Sequence, residues 1–202
     1  MLIVGLTGGI GMGKSAVART LKSFGLPIYS ADEAVHALLG AGGAAVKKVA
    51  KIFPEAVRDD AIDRRILGKL VFGDREKLKA LENILHPLVH KAEQNFLRAA
   101  RREKCPMAVL EIPLLFETGA EKRCDVTLCV TAPKAVQRAR VLHRKGMTAE
   151  KYKAIVAHQM PDAEKRRRAD YVVPTGVNHA VTRKRLRAII DEIAVSCETE
   201  AQ

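Results

Sequence analysis

The chain has no tryptophan, and its three tyrosines and five phenylalanines are scattered through 202 residues. Proteins that bind single-stranded nucleic acid interleave basic side chains with stacking rings, so this scarcity argues against that class. Long apolar runs are also missing. A membrane-spanning helix needs about eighteen or more consecutive apolar residues, whereas the longest candidate, Met107 to Phe116, is interrupted by Glu111 and Pro113. The amino terminus passes from Met1 through a short apolar stretch directly into glycines. It has neither the basic region nor the cleavage site of a secretory signal, and the expected compartment is the cytoplasm. Cys105, Cys124, Cys129 and Cys197 form no CxxC pair and no zinc-ligand spacing, which suits free thiols in a reducing environment. Internal repeats and low-complexity segments are lacking too.

What is present is a chain 48% hydrophobic by composition, enough for one folding unit with a sizeable core. Its formal charge is +12, with a pI near 9.8. Such a balance calls for polyanionic company, whether nucleotide phosphates, nucleic acid or anionic lipid. With stacking rings and membrane spans scarce, phosphorylated small molecules are the class left.

Hydrophobic spacing sets out the elements. Leu2 to Thr7 reads as a strand, followed by a glycine loop and by Val17, Leu21 and Phe24 at helical intervals, ending at Gly25. Leu26 to Tyr29 reads as a second strand, and Ser30 with Glu33 has the capping-box spacing that opens a helix. From Ala44 to Lys104 the pattern is helical throughout, punctuated by Gly73 and Pro87. Met107 to Ile112, Val126 to Thr131 and Tyr171 to Pro174 are strand-length apolar runs alternating with helices, which indicates a parallel sheet. The intervening segment from Lys134 to Arg168 is strongly basic. Its run from Lys165 to Arg168 reads as a solvated face. Val181, Ile189, Ile190 and Ile193 mark a last helix packed on the sheet, with Ser196 to Gln202 as a polar tail.

Gly8-Gly9-Ile10-Gly11-Met12-Gly13-Lys14-Ser15 matches the Walker A pattern between a strand and a helix. Glycines at this spacing let backbone N–H groups turn inward around phosphate oxygens, and the helix start presents its positive end to them. Lys14 then neutralises the outer phosphates and Ser15 Oγ coordinates Mg2+; Ala16 stands where many such loops carry a second hydroxyl. Two readings of Asp32 stand side by side. It follows the second strand, where open parallel sheets bind ligands, and would serve there as a base for an attacking hydroxyl. Equally, an acid in a helix's first turn complements the helix dipole. Gln137, Arg140 and Arg144 fall at i, i+3 and i+7 and so would share one helical face, suited to clamping a triphosphate or simply to facing water. Glu111, near the end of the third core strand, is placed either for the Mg2+ shell or for a structural role. His86, before Pro87, is by itself as well explained by packing.

These residues together resemble the dephospho-coenzyme A kinase family. The pieces are Leu6 to Ser15, Ala31-Asp32, Leu85-His86-Pro87, Ile112 to Glu117, Gln137 with Arg140 and Arg144, Gln159, and Ala169-Asp170-Tyr171. The resemblance implies an α/β three-layer P-loop fold related to nucleoside monophosphate kinases, with a five-stranded parallel sheet. The core would comprise residues 1–33, 105–133 and 169–195, the helical substrate lobe residues 34–104, and the lid residues 134–168. It implies transfer of the γ-phosphoryl group of ATP to the ribose 3'-hydroxyl of dephospho-coenzyme A, with Mg2+. By position, Asp32 is the expected base, Lys14 and Arg140 its catalytic companions, and Gly9, Gly11, Met12, Gly13, Lys14, Ser15, Ala16, Arg140 and Arg144 the ATP contacts. Asp32, His86, Pro113, Leu114, Leu115, Phe116, Glu117 and Gln159 are the expected contacts to dephospho-coenzyme A. Ser30 stands where many relatives have a further aspartate, leaving the role of base to Asp32. Pro174-Thr175-Gly176 replaces the asparagine many relatives place beyond the Ala-Asp-Tyr motif, so the adenine side falls to the backbone of Thr175 and Gly176. Neither nucleic acid nor membrane is an expected partner. The competing readings are another small-molecule P-loop kinase, such as one acting on a nucleoside monophosphate, and a non-catalytic nucleotide-dependent binder of nucleic acid.

Overall fold

The structure is a computed structural model that describes the backbone of residues 1–200 and the side chains of residues 1–196. Cys197 therefore falls outside the described side chains, and Ala201 and Gln202 outside the described residues. Two compact units divide the chain, one of residues 1–28 and 100–202 and the other of residues 29–99.

The first unit is built on β1 (Leu2–Thr7), which lies at the centre of a five-stranded sheet. Its neighbours are β5 (Met107–Glu111) and β6 (Val126–Thr131), both parallel to it, and β7 (Tyr171–Pro174) extends the sheet parallel to β6. β2 (Ile28–Ser30) completes the order β2-β5-β1-β6-β7. It is shorter and begins later than the expected Leu26 to Tyr29. Leu26 turns instead into the core, and the Pro27 carbonyl accepts from Val109 N–H at 2.9 Å; proline has no N–H for the ladder.

Side chains alternate across β1. Val4 and Leu6 enter a cluster with Val17 and Leu21 of α1 (Lys14–Ser23) and with Leu186, Ile189, Ile190 and Ile193 of α9 (His179–Glu200). Burying a leucine fully in such a cluster stabilises by about 2 kcal/mol before chain entropy is counted. Gly5 faces the other way, where a Cβ would lie 2.8 Å from Cys124 Sγ and 3.0 Å from Leu115; the absent side chain lets the 112–124 segment close on that face. Val181, expected in the core, is exposed, because Leu186 takes the sheet-facing stripe at this end of α9. The helix also continues to Glu200, through the stretch expected to be a tail. Cys105 and Cys129 are free thiols, and burial pushes the Cys129 thiol up to about 12, so it stays protonated.

The second unit contains α2 (Ala31–Leu39), α3 (Val46–Ile52), α4 (Arg64–Val71) and most of α5 (Arg75–Arg102). Leu39, Val49, Phe53, Ile62, Leu67, Leu81 and Leu85 form its core. It is not wholly helical. β3 (Val57–Arg58) and β4 (Ala61–Ile62) pair antiparallel around Asp59 and Asp60, both with positive φ, at 46° and 57°. Two consecutive left-handed residues make the tight hairpin turn whose twist matches the strands, and aspartate tolerates that region better than most residues. Periodicity over so few residues could not reveal it. Pro87 likewise does not end a helix: α5 runs through it for 28 residues, giving up one backbone hydrogen bond rather than its course.

Candidate active site

The glycine loop leaves β1 at the carboxyl edge of the parallel sheet, the edge where open α/β sheets bind ligands. Gly11 and Gly13 adopt left-handed φ of 74° and 92°. A Cβ on Gly11 would meet Val141 Cγ2 at 2.5 Å, and one on Gly13 would meet Thr175 Oγ1 at 2.7 Å. Conformation and space both require glycine here. Gly13 then caps α1, whose first turn contains no acidic residue. Ala16 N–H turns back to the Gly13 carbonyl at 3.0 Å, and the N–H groups of Lys14 and Ser15 with the helix dipole present an uncompensated positive end, the physical basis of a phosphate site.

Lys14 opens the helix, and its ammonium donates to Glu111 Oε1 at 2.8 Å, with both side chains about nine-tenths buried. Glu111 ends β5 in register with Leu6, which is why the two groups meet. Ser15 is exposed in the first turn. Among the described residues no cluster of three acidic, histidine or cysteine ligands could hold a metal by itself. Mg2+ in phosphoryl-transfer sites is held by one or two protein oxygens together with substrate phosphates, a mode to which the Ser15 hydroxyl and the Glu111 carboxylate are chemically suited.

Arg140 of α6 (Lys134–Leu142) reaches Thr175, with Nη1 donating to Oγ1 at 3.0 Å and Nη2 to the carbonyl at 2.7 Å. Thr175 Oγ1 in turn donates to the carbonyl of Met12, and Met12 Sδ accepts from Ala132 N–H. Gly176 packs on Pro133, where a Cβ would come within 2.4 Å of Cδ. Met12, Gly13, Arg140, Thr175 and Gly176 are therefore one constellation. Arg144 is not part of the α6 face. The helix ends at Leu142 and the chain turns through Gly146 with φ of 77°, so the i+7 relation expected from the sequence does not hold.

The Ile112 to Glu117 segment divides by burial. Leu115 and Phe116 are core residues, whereas Leu114 is exposed. Glu117 accepts from Lys165 Nζ at 2.9 Å and from the N–H of Met160 at 2.8 Å, and Lys165 Nζ also donates to the Pro113 carbonyl. Lys165 lies on α8 (Asp162–Arg168) and is fully buried. It is thus no part of the solvated face that Lys165 to Arg168 suggested; nothing in the pattern separates it from the arginines that follow. Removing one member of a buried pair strands the other, at a cost of about 3–5 kcal/mol. Glu117→Leu and Lys165→Met should each lower stability by that order in chemical denaturation, and the double variant should be more stable than the sum of the singles implies. Additive losses would show that the pair is not coupled.

Asp170 pins β6 to the start of β7: Oδ2 accepts from Thr127 N–H at 2.8 Å and from Thr127 Oγ1 at 2.7 Å. Thr127 was not foreseen, since a buried threonine in an apolar strand has no signature of its own. α7 (Ala149–Ala157) and the turn after it bring Gln159 to the glycine loop. Gln159 Oε1 accepts from Ile10 N–H at 2.9 Å, and Gln137 Nε2 donates to the Ile10 carbonyl at 2.9 Å. Beside them opens a cavity of about 610 Å³ bordered by Gly9, Met12, Ala132, Gln137, Gln159 and Asp162.

Two expected residues belong to the other unit. Asp32 is exposed in the first turn of α2, whose N-cap Ser30 accepts from Glu33 N–H through its hydroxyl at 3.4 Å. His86 is exposed on α5, next to buried Leu85.

A Walker A loop at the carboxyl edge of a parallel sheet, with its lysine on the first helix and an arginine tied to the loop after β7, defines a P-loop phosphotransferase. Residues 2–180 match the family model described as dephospho-CoA kinase. A dephospho-CoA kinase of Paramagnetospirillum magneticum is 54% identical over 166 residues, covering 82% of this chain and 78% of that protein. One of Rhodopseudomonas palustris is 47% identical over 194 residues, 96% of each chain. Among solved structures, a protein of Thermus thermophilus superposes with a TM-score of 0.83 at 40% identity, covering 95% of this chain and 97% of the other. The dephospho-CoA kinase of Campylobacter jejuni superposes with a TM-score of 0.72 at 28% identity, covering 96% and 98%. The chain belongs to the dephospho-CoA kinase family.

Proposed function

We propose that this protein transfers the γ-phosphoryl group of ATP to the ribose 3'-hydroxyl of dephospho-coenzyme A, in the cytoplasm, giving coenzyme A and ADP. The observation that carries the proposal is the glycine loop with Lys14 at its helix start, in a chain that matches the family over residues 2–180. The N–H groups of Gly11, Gly13, Lys14 and Ser15 cradle the phosphates, and Lys14 leaves Glu111 to meet the transferring group. Arg140, anchored on Thr175, supplies a second cation near the loop, with Arg144 reaching the triphosphate from beyond α6. Ser15 and Glu111 are the residues that would hold Mg2+, which when bound neutralises charge on the phosphates.

Phosphoryl transfer has a loose transition state, so alignment and charge neutralisation do most of the work. Asp32 aligns the 3'-hydroxyl and accepts its proton as the bond to phosphorus forms. Thr175 and Gly176 offer backbone groups to adenine. His86, Leu114 and the rest of the Pro113 to Glu117 segment shape the surface for the acceptor.

A coupled ATP-consumption assay against dephospho-coenzyme A, AMP, CMP, shikimate and gluconate tests the assignment. Dephospho-coenzyme A should be turned over fastest; a nucleoside monophosphate turned over faster would overturn it.

A further inference from the structure

The tip of the phosphate loop is held from both sides by the segment between β6 and β7. Ile10 gives its N–H to Gln159 and its carbonyl to Gln137, so the two peptide planes that flank this residue are each fixed by a side-chain amide. Gln137 is itself buried, and its own amide is oriented: Tyr152 O–H donates to Oε1 at 3.2 Å, which leaves Nε2 to face the Ile10 carbonyl. Reversing the amide would set Oε1 against the Ile10 carbonyl, two acceptors face to face, and lose that bond, so the Ile10 carbonyl fixes which way the amide points. Gly11, whose left-handed backbone directs the next N–H groups, packs against the Gln137 carbonyl and Val141. α6, α7 and the turn after α7 therefore converge on one residue of the loop.

We infer that Gln137, Gln159 and Tyr152 form a positioning clamp that sets the peptide planes of the phosphate loop, and that Gln159 affects ATP use through Ile10 rather than through the acceptor substrate. The inference deepens the kinase assignment, on which its kinetic arm rests. A loop rich in glycine has many accessible conformations, and those that point its N–H groups inward are a small fraction. Fixing the planes on either side of Ile10 before ATP arrives removes that ordering cost from binding. The clamp also ties the loop to α7, so a displacement of that helix would be felt at the phosphates.

Amide hydrogen exchange at Ile10 reads the clamp without reference to any substrate, and steady-state kinetics read its consequence. Gln159→Leu removes the acceptor. It should speed Ile10 exchange and raise the KM for ATP by about tenfold, the worth of one hydrogen bond, with the KM for dephospho-coenzyme A unchanged. Gln159→Glu keeps an acceptor and should retain Ile10 protection. Tyr152→Phe, which deletes only a hydroxyl, should move both readouts the same way by a smaller factor and guards against a fold defect in the leucine variant. Gln137→Glu places an acceptor against the Ile10 carbonyl unless the carboxyl is protonated. Burial raises its pKa, so the variant's activity relative to the wild type should rise as pH falls from about 8 to about 6. If Gln159→Leu raises the KM for dephospho-coenzyme A while Ile10 exchange and the KM for ATP stay as in the wild type, Gln159 is a substrate contact and the clamp is refuted. A flat pH ratio for Gln137→Glu refutes the donor role of Gln137. Should the chain prove inactive on dephospho-coenzyme A, Ile10 exchange and direct ATP binding still decide the clamp, separately from the kinase assignment.

Discussion

Lys14→Ala is expected to lower turnover by about a thousandfold, the order found when a preorganised group stabilising transition-state charge is deleted. Lys14 is the cation on the helix start itself, and in a loose transition state charge spreads over the oxygens it would face. The substitution also has a structural cost, because Glu111 loses its partner while its side chain stays 9% exposed. A buried carboxylate without its cation is destabilising, so the melting temperature should fall as well. The two effects separate in a double variant. Lys14→Ala with Glu111→Gln replaces the stranded charge by a neutral amide and should recover most of the melting temperature, while turnover stays well below that of Glu111→Gln alone, the control for the loss of a Mg2+ oxygen. Recovery of turnover with stability would mean that Lys14 organises the site and does not act on the phosphoryl group.

Asp32→Asn is expected to reduce turnover by about a hundredfold or more, the range of general-base removal, with ATP affinity nearly unchanged. Asparagine keeps the size of the side chain and the helix start, since the N-cap hydrogen bond belongs to Ser30 and not to Asp32. The loss of a charge from an exposed first turn should cost about 0.3–1 kcal/mol at most. Kinetics and melting therefore distinguish the two readings of this residue. Normal turnover with a clear drop in stability would assign Asp32 to the helix dipole alone.

The parts of the molecule legible in the sequence are those fixed by local chemistry. β1, β5, β6 and β7 were readable because strands buried on both faces are short continuous apolar runs, and Lys14 and Ser15 because the glycine pattern has one physical purpose. Arg140 was singled out, although its bond to Thr175 was not: Thr175, expected for its backbone, meets Arg140 through its hydroxyl as well as its carbonyl. Arg144 was misplaced because helical spacing gives a face only while the helix lasts, and the turn at Gly146 ends it. The hairpin at Asp59 and Asp60 escaped because two-residue strands have no measurable period. Lys165 escaped for a different reason. Its burial depends on Glu117, 48 residues away, and a pairing over that distance leaves no mark on either local pattern. The same holds for Ile10 and Gln159, which are 149 residues apart.

The basic charge is also better understood in place. Arg183 and Arg187 stack on Phe24, at 4.8 and 3.8 Å from the ring centre, and Arg167 and Arg168 pair with Glu164, whose carboxyl they hold at about 2, well below the usual range. These four arginines therefore serve packing and helix pairing. Arg140 and Lys14 are set at the glycine loop.

The central claim is most directly tested by the position of the new phosphate. Incubated with ATP, Mg2+ and dephospho-coenzyme A, the protein should yield a product whose added phosphomonoester couples, in phosphorus–proton NMR, to the ribose 3' proton, with one ADP formed per product. A phosphate at any other position, or no phosphorylated product while a nucleoside monophosphate is converted, would contradict the account.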